Sequence, residues 1–303
     1  MRGTVLSGTG GVWRVLANDG ATYEAALRGR LKQSGPKLAV GDEVELERAE
    51  RDDAWAIAGI LPRRSKLARR TPGAGHGERI VVANVDQVVV VFAVAKPTPH
   101  RRMLDRFLVI AEANRLAARV VVNKVDLAGA REAEALFADY PRAGYPVHLT
   151  STKDGGHGLD ALHDALRGRT SVLTGPSGVG KSSLMNALYP GLALRVGEIS
   201  ESVNKGRHTT VGALLHPLPD GGFVADTPGL REIGMWGLAP SELGDCFPEF
   251  RPLTPLCRFA DCTHTVEPGC AVLDAIARGD VSAERHESYV KLREELEESA
   301  NLW

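Results

Sequence analysis

The stretch Gly175 to Ser182 reads G-P-S-G-V-G-K-S. It follows a short apolar run at Ser171 to Leu173 and opens a helical pattern at Lys181 to Leu188. Glycines at 175, 178 and 180 let the backbone turn so that successive N–H groups point inward, which makes a cradle for phosphate oxygens. A helix beginning there adds partial positive charge. In such a loop Pro176, Ser177, Val179 and Ser183 line the phosphates together with Gly175, Gly178 and Gly180. Lys181 reaches the β and γ phosphates, and the Ser182 hydroxyl holds Mg²⁺.

A second constellation lies earlier in the chain. Asn123 to Asp126 reads N-K-V-D after the apolar run at Arg119 to Val122. The Asp126 carboxylate can accept from N1–H and the 2-amino group of guanine, two donors that adenine does not offer on that edge. Asn123 can bridge the base to the phosphate loop, the Lys124 stem can cover the base face, and Val125 completes the motif. Ser151 and Thr152, followed by Lys153, sit where a further guanine contact through a backbone N–H is expected. Together these residues predict a site for GTP and GDP with Mg²⁺, and Asp126 argues against ATP.

Two more motifs follow the phosphate loop. Asp226 to Gly229 reads D-T-P-G. An aspartate there can hold the water shell of Mg²⁺, while the Gly229 N–H faces the γ-phosphate. Upstream, Gly206 to Thr210 reads G-R-H-T-T, and one of Thr209 and Thr210 is expected to close over Mg²⁺. Many GTPases place a glutamine just after D-x-x-G to orient the attacking water. Here the residue is Leu230, which cannot. His208 is the nearest titratable candidate, although a solvated loop histidine would look the same. The expected catalytic set is Lys181, His208 and Asp226.

Four cysteines occur, and three fall close together near the C-terminus. Cys257, Cys262, His264 and Cys270 have the spacing C-x4-C-x-H-x5-C. Three thiolates and an imidazole suit one closed, tetrahedral, structural Zn²⁺, which would contribute directly to folding of a segment with little core of its own. Cys246, between Asp245 and Phe247, reads as a packing residue.

Three kinds of element must carry these residues. Up to about residue 62, short strand-like runs at Val12 to Ala17, Thr22 to Leu27, Glu43 to Arg48 and Ala54 to Ile60 alternate with glycine-rich punctuation, as in a small barrel. From 63 to 235, strand patterns at Asp86 to Ala95, Arg119 to Val122, Ser171 to Leu173 and Gly222 to Ala225 alternate with helical ones at Met103 to Leu116, Leu159 to Leu166 and Lys181 to Leu188. That is an α/β domain on a mostly parallel sheet. From 236 to 303 the pattern is loops, the Cys/His group and two helices near 270–278 and 282–298. At 63–80 a basic linker joins the first two parts, with Arg63, Arg64, Lys66, Arg69 and Arg70 free of any intervening acid and available to RNA phosphates. The formal net charge of -1 hides this local excess. No signal peptide is visible, and the longest apolar run, Val88 to Ala95, is far short of the ~20 residues that span a bilayer. The expectation is a cytoplasmic monomer that does not enter a membrane.

Ordinary small GTPases run phosphate loop, switches, guanine motif. This chain runs N-K-V-D first and D-T-P-G last, so the domain is circularly permuted. In A-N-V-D-Q-V at 83–88, L-D-R-F-L at 104–108, N-K-V-D, G-P-S-G-V-G-K-S-S, G-R-H-T-T, D-T-P-G-L-R-E and the Cys/His group, it resembles the circularly permuted, ribosome small-subunit-dependent GTPases of bacteria. The resemblance spans nearly the whole chain. It implies an N-terminal OB-fold, the permuted GTPase and a C-terminal zinc domain. It also implies hydrolysis assisted by the histidine matching His208, and work on the small ribosomal subunit and its rRNA late in that subunit's maturation. The alternative is a GTP-dependent RNA-binding scaffold or translation-associated switch with little turnover. Because the second switch runs straight into the C-terminal part, its ordering is expected to move that part against the rest.

Overall fold

The computed structural model describes residues 1–29, 31, 36–48, 54–70, 77–153, 155–192, 213–226 and 238–301. The chain starts with five strands, β1 (Arg2–Thr9), β2 (Val12–Ala17), β3 (Thr22–Leu27), β4 (Glu43–Arg48) and β5 (Trp55–Ile60). They close into a barrel in the order β1-β2-β3-β5-β4, with β3 and β5 parallel and β1 pairing with both β2 and β4. This is the five-stranded Greek-key arrangement of an OB barrel. Val5, Val15, Ala17, Ala25, Val44, Leu46 and Ile57 fill its interior. Sequence periodicity overlooks β1 because R-G-T-V-L-S-G-T carries two glycines and little alternation.

The 63–80 segment holds more order than a linker. Strand β6 (Lys66–Arg70) pairs antiparallel with β7 (Glu78–Ala83) in a small ladder of its own. Beside it, Arg63 is turned inward. Its guanidinium makes a two-pronged contact with the buried Asp42 carboxylate at 2.6 and 2.8 Å and donates to the Lys37 carbonyl. Asp42 also accepts from the Ala39 N–H at 2.7 Å. Nearby, Gly41 has φ +85° and lies so close to Ala83 that a Cβ would meet its carbonyl at 2.2 Å, so the barrel meets the next domain on a residue that must be glycine.

The central sheet contains β8 (Gln87–Ala93), β9 (Ala117–Asn123), β10 (Val147–Leu149), β11 (Thr170–Thr174), β12 (Leu214–Pro217) and β13 (Phe223–Asp226), in the order β10-β9-β8-β11-β13-β12. All neighbours are parallel except β12 with β13. Every residue of β8 is buried. Val88, Val90 and Phe92 enter one core cluster, and Val89, Val91 and Ala93 enter the other. A strand that is apolar on both faces requires a layer on each side. The helices supply it: α1 (Arg101–Ala113) with α2 (Ala130–Leu136) and the single turn α3 (Asp139–Arg142) on one face, and α4 (Leu159–Leu166) with α5 (Lys181–Leu188) on the other.

The C-terminal part ends in α6 (Ala271–Arg278) and α7 (Ala283–Asn301). Its core of Leu243, Phe247, Phe250, Val272, Tyr289 and Leu292 takes in Val109 of α1, so this part is docked on the GTPase domain. A buried ion network fastens the two. Arg285 of α7, 3% exposed, donates to Asp105 of α1 at 2.6 Å and to both oxygens of Glu249 at 2.7 and 3.0 Å. The guanidinium also lies 4.8 Å from the Phe247 ring centroid. Burial alone would lower the Arg285 pKa, but Asp105 and Glu249 hold it above its ordinary value, so the charge stays. Arg106–Glu295, Arg101–Glu284 and Arg251–Glu112 pairs surround this network.

Candidate nucleotide site and metal centre

The C-terminal ends of β8, β9 and β11 lie side by side, and the phosphate loop leaves β11 there. In open α/β sheets, ligands bind beyond the carboxyl ends of the strands. Gly175, at φ +134°, passes Val91 so closely that a Cβ would sit 2.0 Å from its carbonyl oxygen. Gly180, at φ +94°, precedes α5 and allows a Cβ only 2.6 Å from the Asn123 amide nitrogen. These contacts seat the loop against β8 and β9 and leave no space for a side chain. Lys181 and Ser182 follow in the first turn of α5, both buried, with Ser183 beside them half-buried. The Lys181 ammonium lies inside the loop, donating to the carbonyls of Gly175 at 2.9 Å and Pro176 at 2.7 Å. Ser177 and Gly178 are exposed on the rim and Val179 is buried beneath them.

The guanine motif is tied to this loop directly. Asn123 ends β9, is buried, and donates from its amide to the Val179 carbonyl at 2.9 Å. Lys124 takes up a left-handed backbone at φ +62°, and its ammonium bonds the carbonyls of Gly178 and Lys96. Val125 and Asp126 form a short 3₁₀ turn with Leu127. The Ser151 hydroxyl donates to the Asp126 carboxylate at 2.6 Å, and Thr152 stands next to it in the bend after β10. Sequence reasoning passes over Thr150. It is fully buried and its hydroxyl donates to the Asn123 carbonyl oxygen at 3.1 Å, so Asn123 is held at both ends of its amide. The only sequence signal for it is a hydroxyl residue just before the polar turn.

Asp226 ends β13, next to β11, with its backbone at the mouth of the same cleft. His208, Thr209, Thr210 and Gly229 lie outside the described residues, as do Gly206 and Leu230. Of the basic stretch, Arg63 is occupied by Asp42, Arg64 reaches Asp86 at 3.2 Å and Lys66 pairs with Glu78 at 2.5 Å. Arg69 is half-buried in β6, and Arg70 closes that strand.

Cys257, Cys262, His264 and Cys270 come together, with all four ligand atoms within 4.8 Å of one another. His264 Nδ1 stands 3.6 Å from the Cys257 sulfur and 3.4 Å from that of Cys270, and those two sulfurs are 4.0 Å apart. A tetrahedral zinc with bonds of about 2.3 Å to sulfur and about 2.0 Å to nitrogen sets these separations near ~3.5 and ~3.8 Å. The residues therefore fit the ion. Burial lowers the His264 pKa, which favours the neutral imidazole that ligates. Its far nitrogen, Nε2, faces the Thr254 hydroxyl at 3.4 Å, the kind of outer partner that orients a metal-binding histidine. From α7, Tyr289 donates to the Thr263 carbonyl and His286 bonds the His264 carbonyl, both at 2.7 Å. Cys246 is kept apart, buried among Phe247 and its neighbours, and burial pushes its thiol up to about 12.

A parallel sheet with a glycine cradle at the head of a helix, and a base-reading N-K-V-D placed before it in the chain, define a circularly permuted P-loop GTPase. The comparisons agree. The family model for the RsgA GTPase matches residues 60–236, and that for the RsgA N-terminal domain matches residues 2–56. The chain is 63% identical over 298 residues to a small ribosomal subunit biogenesis GTPase RsgA of Gemmatimonas aurantiaca, covering 97% of each. It is 40% identical over 296 residues to one from Moorella thermoacetica, covering 98% of this chain and 97% of the other. Among solved structures, YjeQ from Thermotoga maritima superposes with a TM-score of 0.82 at 36% identity, covering 97% of this chain and 98% of that one. YloQ, a circularly permuted GTPase, gives 0.77 at 30% identity, covering 98% and 95%. The chain belongs to the RsgA GTPase family and is a GTP hydrolase. Membership implies a guanine nucleotide with Mg²⁺.

Proposed function

We propose that this protein binds the small ribosomal subunit and hydrolyses GTP to GDP and phosphate during late maturation of that subunit, with the subunit accelerating turnover. The supporting observation is the pairing of a phosphate loop and guanine motif, cross-tied by Asn123 to Val179, with Leu230 in the sequence where a water-orienting residue would stand. A site with leucine where the water-orienting glutamine would stand calls for a partner that brings another group to the water. Relatives similar over nearly their whole length carry the name small ribosomal subunit biogenesis GTPase, which supports that partner being the small subunit.

In this reading Gly175 to Ser183 and the Gly229 N–H surround the phosphates, while Asn123 to Asp126, Ser151 and Thr152 read the base. Ser182, Thr209 or Thr210 and, through water, Asp226 would hold magnesium, which would supply positive charge against the phosphates. Lys181 stabilises the transferring phosphoryl group, and His208 orients the water when the partner is bound. Cys257, Cys262, His264 and Cys270 hold one structural zinc. The domains are 1–62, 63–235 and 236–303, and the protein works as a cytoplasmic monomer. No helix among the described residues is long and apolar enough to cross a membrane. Exposed basic residues near the barrel, Arg64 foremost, meet rRNA phosphates, while Arg63 is committed to Asp42.

The test is GTP turnover against increasing small or large subunits. Small subunits alone should raise kcat. His208→Ala should lose most of the stimulated rate while GTP affinity stays, since the loss is confined to the transition state. Equal stimulation by both subunits, or by neither, would refute the assignment.

A further inference from the structure

At the N-terminal ends of the central strands, opposite the nucleotide, two arginines and a histidine meet with no carboxylate paired to them among the described residues. Arg119 lies on β9 four residues before Asn123, about 13 Å back along the strand. It stands opposite Val89 of β8, and His148 of β10 stands opposite Val121, so register puts both on the α4 face. The Arg119 Nε donates to the Gln87 side-chain oxygen at 2.9 Å, and its Nη1 lies 2.6 Å from His148 Nε2. Arg169, exposed just before β11, reaches the same Gln87 oxygen at 3.5 Å. Gln87 is buried and its amide donates to the Ala165 carbonyl and the Ser171 hydroxyl, so its oxygen is aimed at the arginines by a fixed frame.

The charge at this point is not balanced. No carboxylate among the described residues forms an ion pair with either guanidinium. The Arg119 pKa is lowered, first by burial and then by the like charge of Arg169. His148 is lowered too, by burial and by Arg119, so its ring accepts rather than adding charge. By contrast, Arg167, two residues before Arg169, is matched by Asp164 and Asp220. If the only task were to satisfy Gln87, one arginine would do, and a second would add repulsion. The backbone of Arg169 is also fixed: Gly168 donates to the Gly221 carbonyl, Phe223 donates to that of Arg169, and a Cβ on Gly222 would meet the Arg169 nitrogen at 2.4 Å. Arg119 is held by Gln87 and His148, Arg169 stands open to solvent on a fixed backbone, and neither guanidinium has a carboxylate partner among the described residues. The nearest carboxylate, Asp86 just before Gln87, is taken up by Arg64 at 3.2 Å and by the Thr170 N–H at 2.8 Å.

We infer that Arg119 and Arg169, with His148 fixing the first, form a binding site for phosphodiester groups of RNA at the N-terminal ends of the central strands, remote from the nucleotide. Guanidinium forks match phosphate oxygens in pairs. This rests on the small-subunit reading above and gives it a contact outside the basic stretch and the metal centre.

The experiment measures binding of the double variant Arg119→Gln, Arg169→Gln to small subunits in a non-hydrolysable GTP analogue, and to a naked A-form RNA duplex, across about 50 to 200 mM salt. Loss of two phosphate contacts should reduce the slope of log affinity against log salt by roughly 1.4–1.8 in both arms. GTP affinity and basal turnover should match the parent protein. Arg169→Gln alone, at an exposed position, should lose about half of that slope, and it keeps the test open if the buried Arg119 change unfolds the chain. An unchanged slope in the variants would overturn the site. So would a loss of subunit binding with naked-RNA binding intact, because the partner would then be a protein, and so would a parent protein that binds neither. Parent binding to the duplex with the expected slope loss, but no binding to subunits, would keep the site and sink the ribosomal reading instead.

Discussion

At the nucleotide site the phosphate loop from Gly175 to Ser183 is backbone seated against β8 and β9, and β8 is buried on both faces. At the Cys/His centre the groups aimed at the ligand are four side chains in a segment of loops and single 3₁₀ turns between about 240 and 270. The first borrows its rigidity from a core that would exist without it. The second has Phe247, Phe250, Tyr289 and Leu292 as a partial core and relies on its ligand atoms being drawn together for the rest. Removing what each holds should therefore have opposite consequences. The nucleotide cradle should persist, and the metal segment should loosen.

The largest effect is expected from the metal. Chelation should abolish amide-exchange protection through about 250–275 while GTP affinity stays nearly unchanged, because metal binding free energy is folding free energy in such segments. Metal analysis should return one zinc per chain. Intact protection in metal-free protein would show that the two regions are scaffolded alike.

Base selectivity comes next. Asp126→Asn exchanges an acceptor for a donor and should move the preference from GTP toward a xanthine nucleotide by up to about 10⁴-fold, since a site built for a specific hydrogen bond rejects ligands lacking the partner group. Competition binding checks this, and the fold should hold because the cradle stands on β8 and β9. An unchanged preference would place the base elsewhere.

The joint between the two regions gives a third measurement. Arg285→Met leaves Asp105 and Glu249 buried beside each other without their cation, and should cost about 3–5 kcal/mol in denaturant unfolding. The sequence reading has the C-terminal part swinging with the second switch. The Arg285 network fastens that part to α1 in this arrangement, so a swing must carry α1 along or break the network. A loss below about 1 kcal/mol would show that the docking is weak and that the network is no obstacle to a swing.

The smallest effect is expected at Thr150→Val, which leaves the Asn123 carbonyl oxygen without its donor. Guanine nucleotide affinity should fall by about fivefold, an effect of ~1 kcal/mol. Isothermal titration would read it, and no change would mean that the Val179 bond alone holds Asn123.

The sequence by itself determined the chemistry. Phosphate cradles, guanine reading and thiolate metal binding depend on residue type at short spacing, so G-P-S-G-V-G-K-S, N-K-V-D and the Cys/His spacing were legible as strings, and their order revealed the permutation. The unbroken apolar run of β8 was legible too, because a strand buried on both faces cannot alternate. What the tertiary structure decided are the relations between distant residues. It set Asn123 against Val179, Thr150 under Asn123, and Arg285 between Asp105 and Glu249. It turned the basic stretch into strand β6, with Arg63 spent on Asp42, and it gathered Arg119, Arg169 and His148 around one glutamine. A charge in the sequence looks the same whether it faces solvent, a buried acid or another charge. Its partner is set by strand register and packing across tens of residues, and those interactions have no local signature.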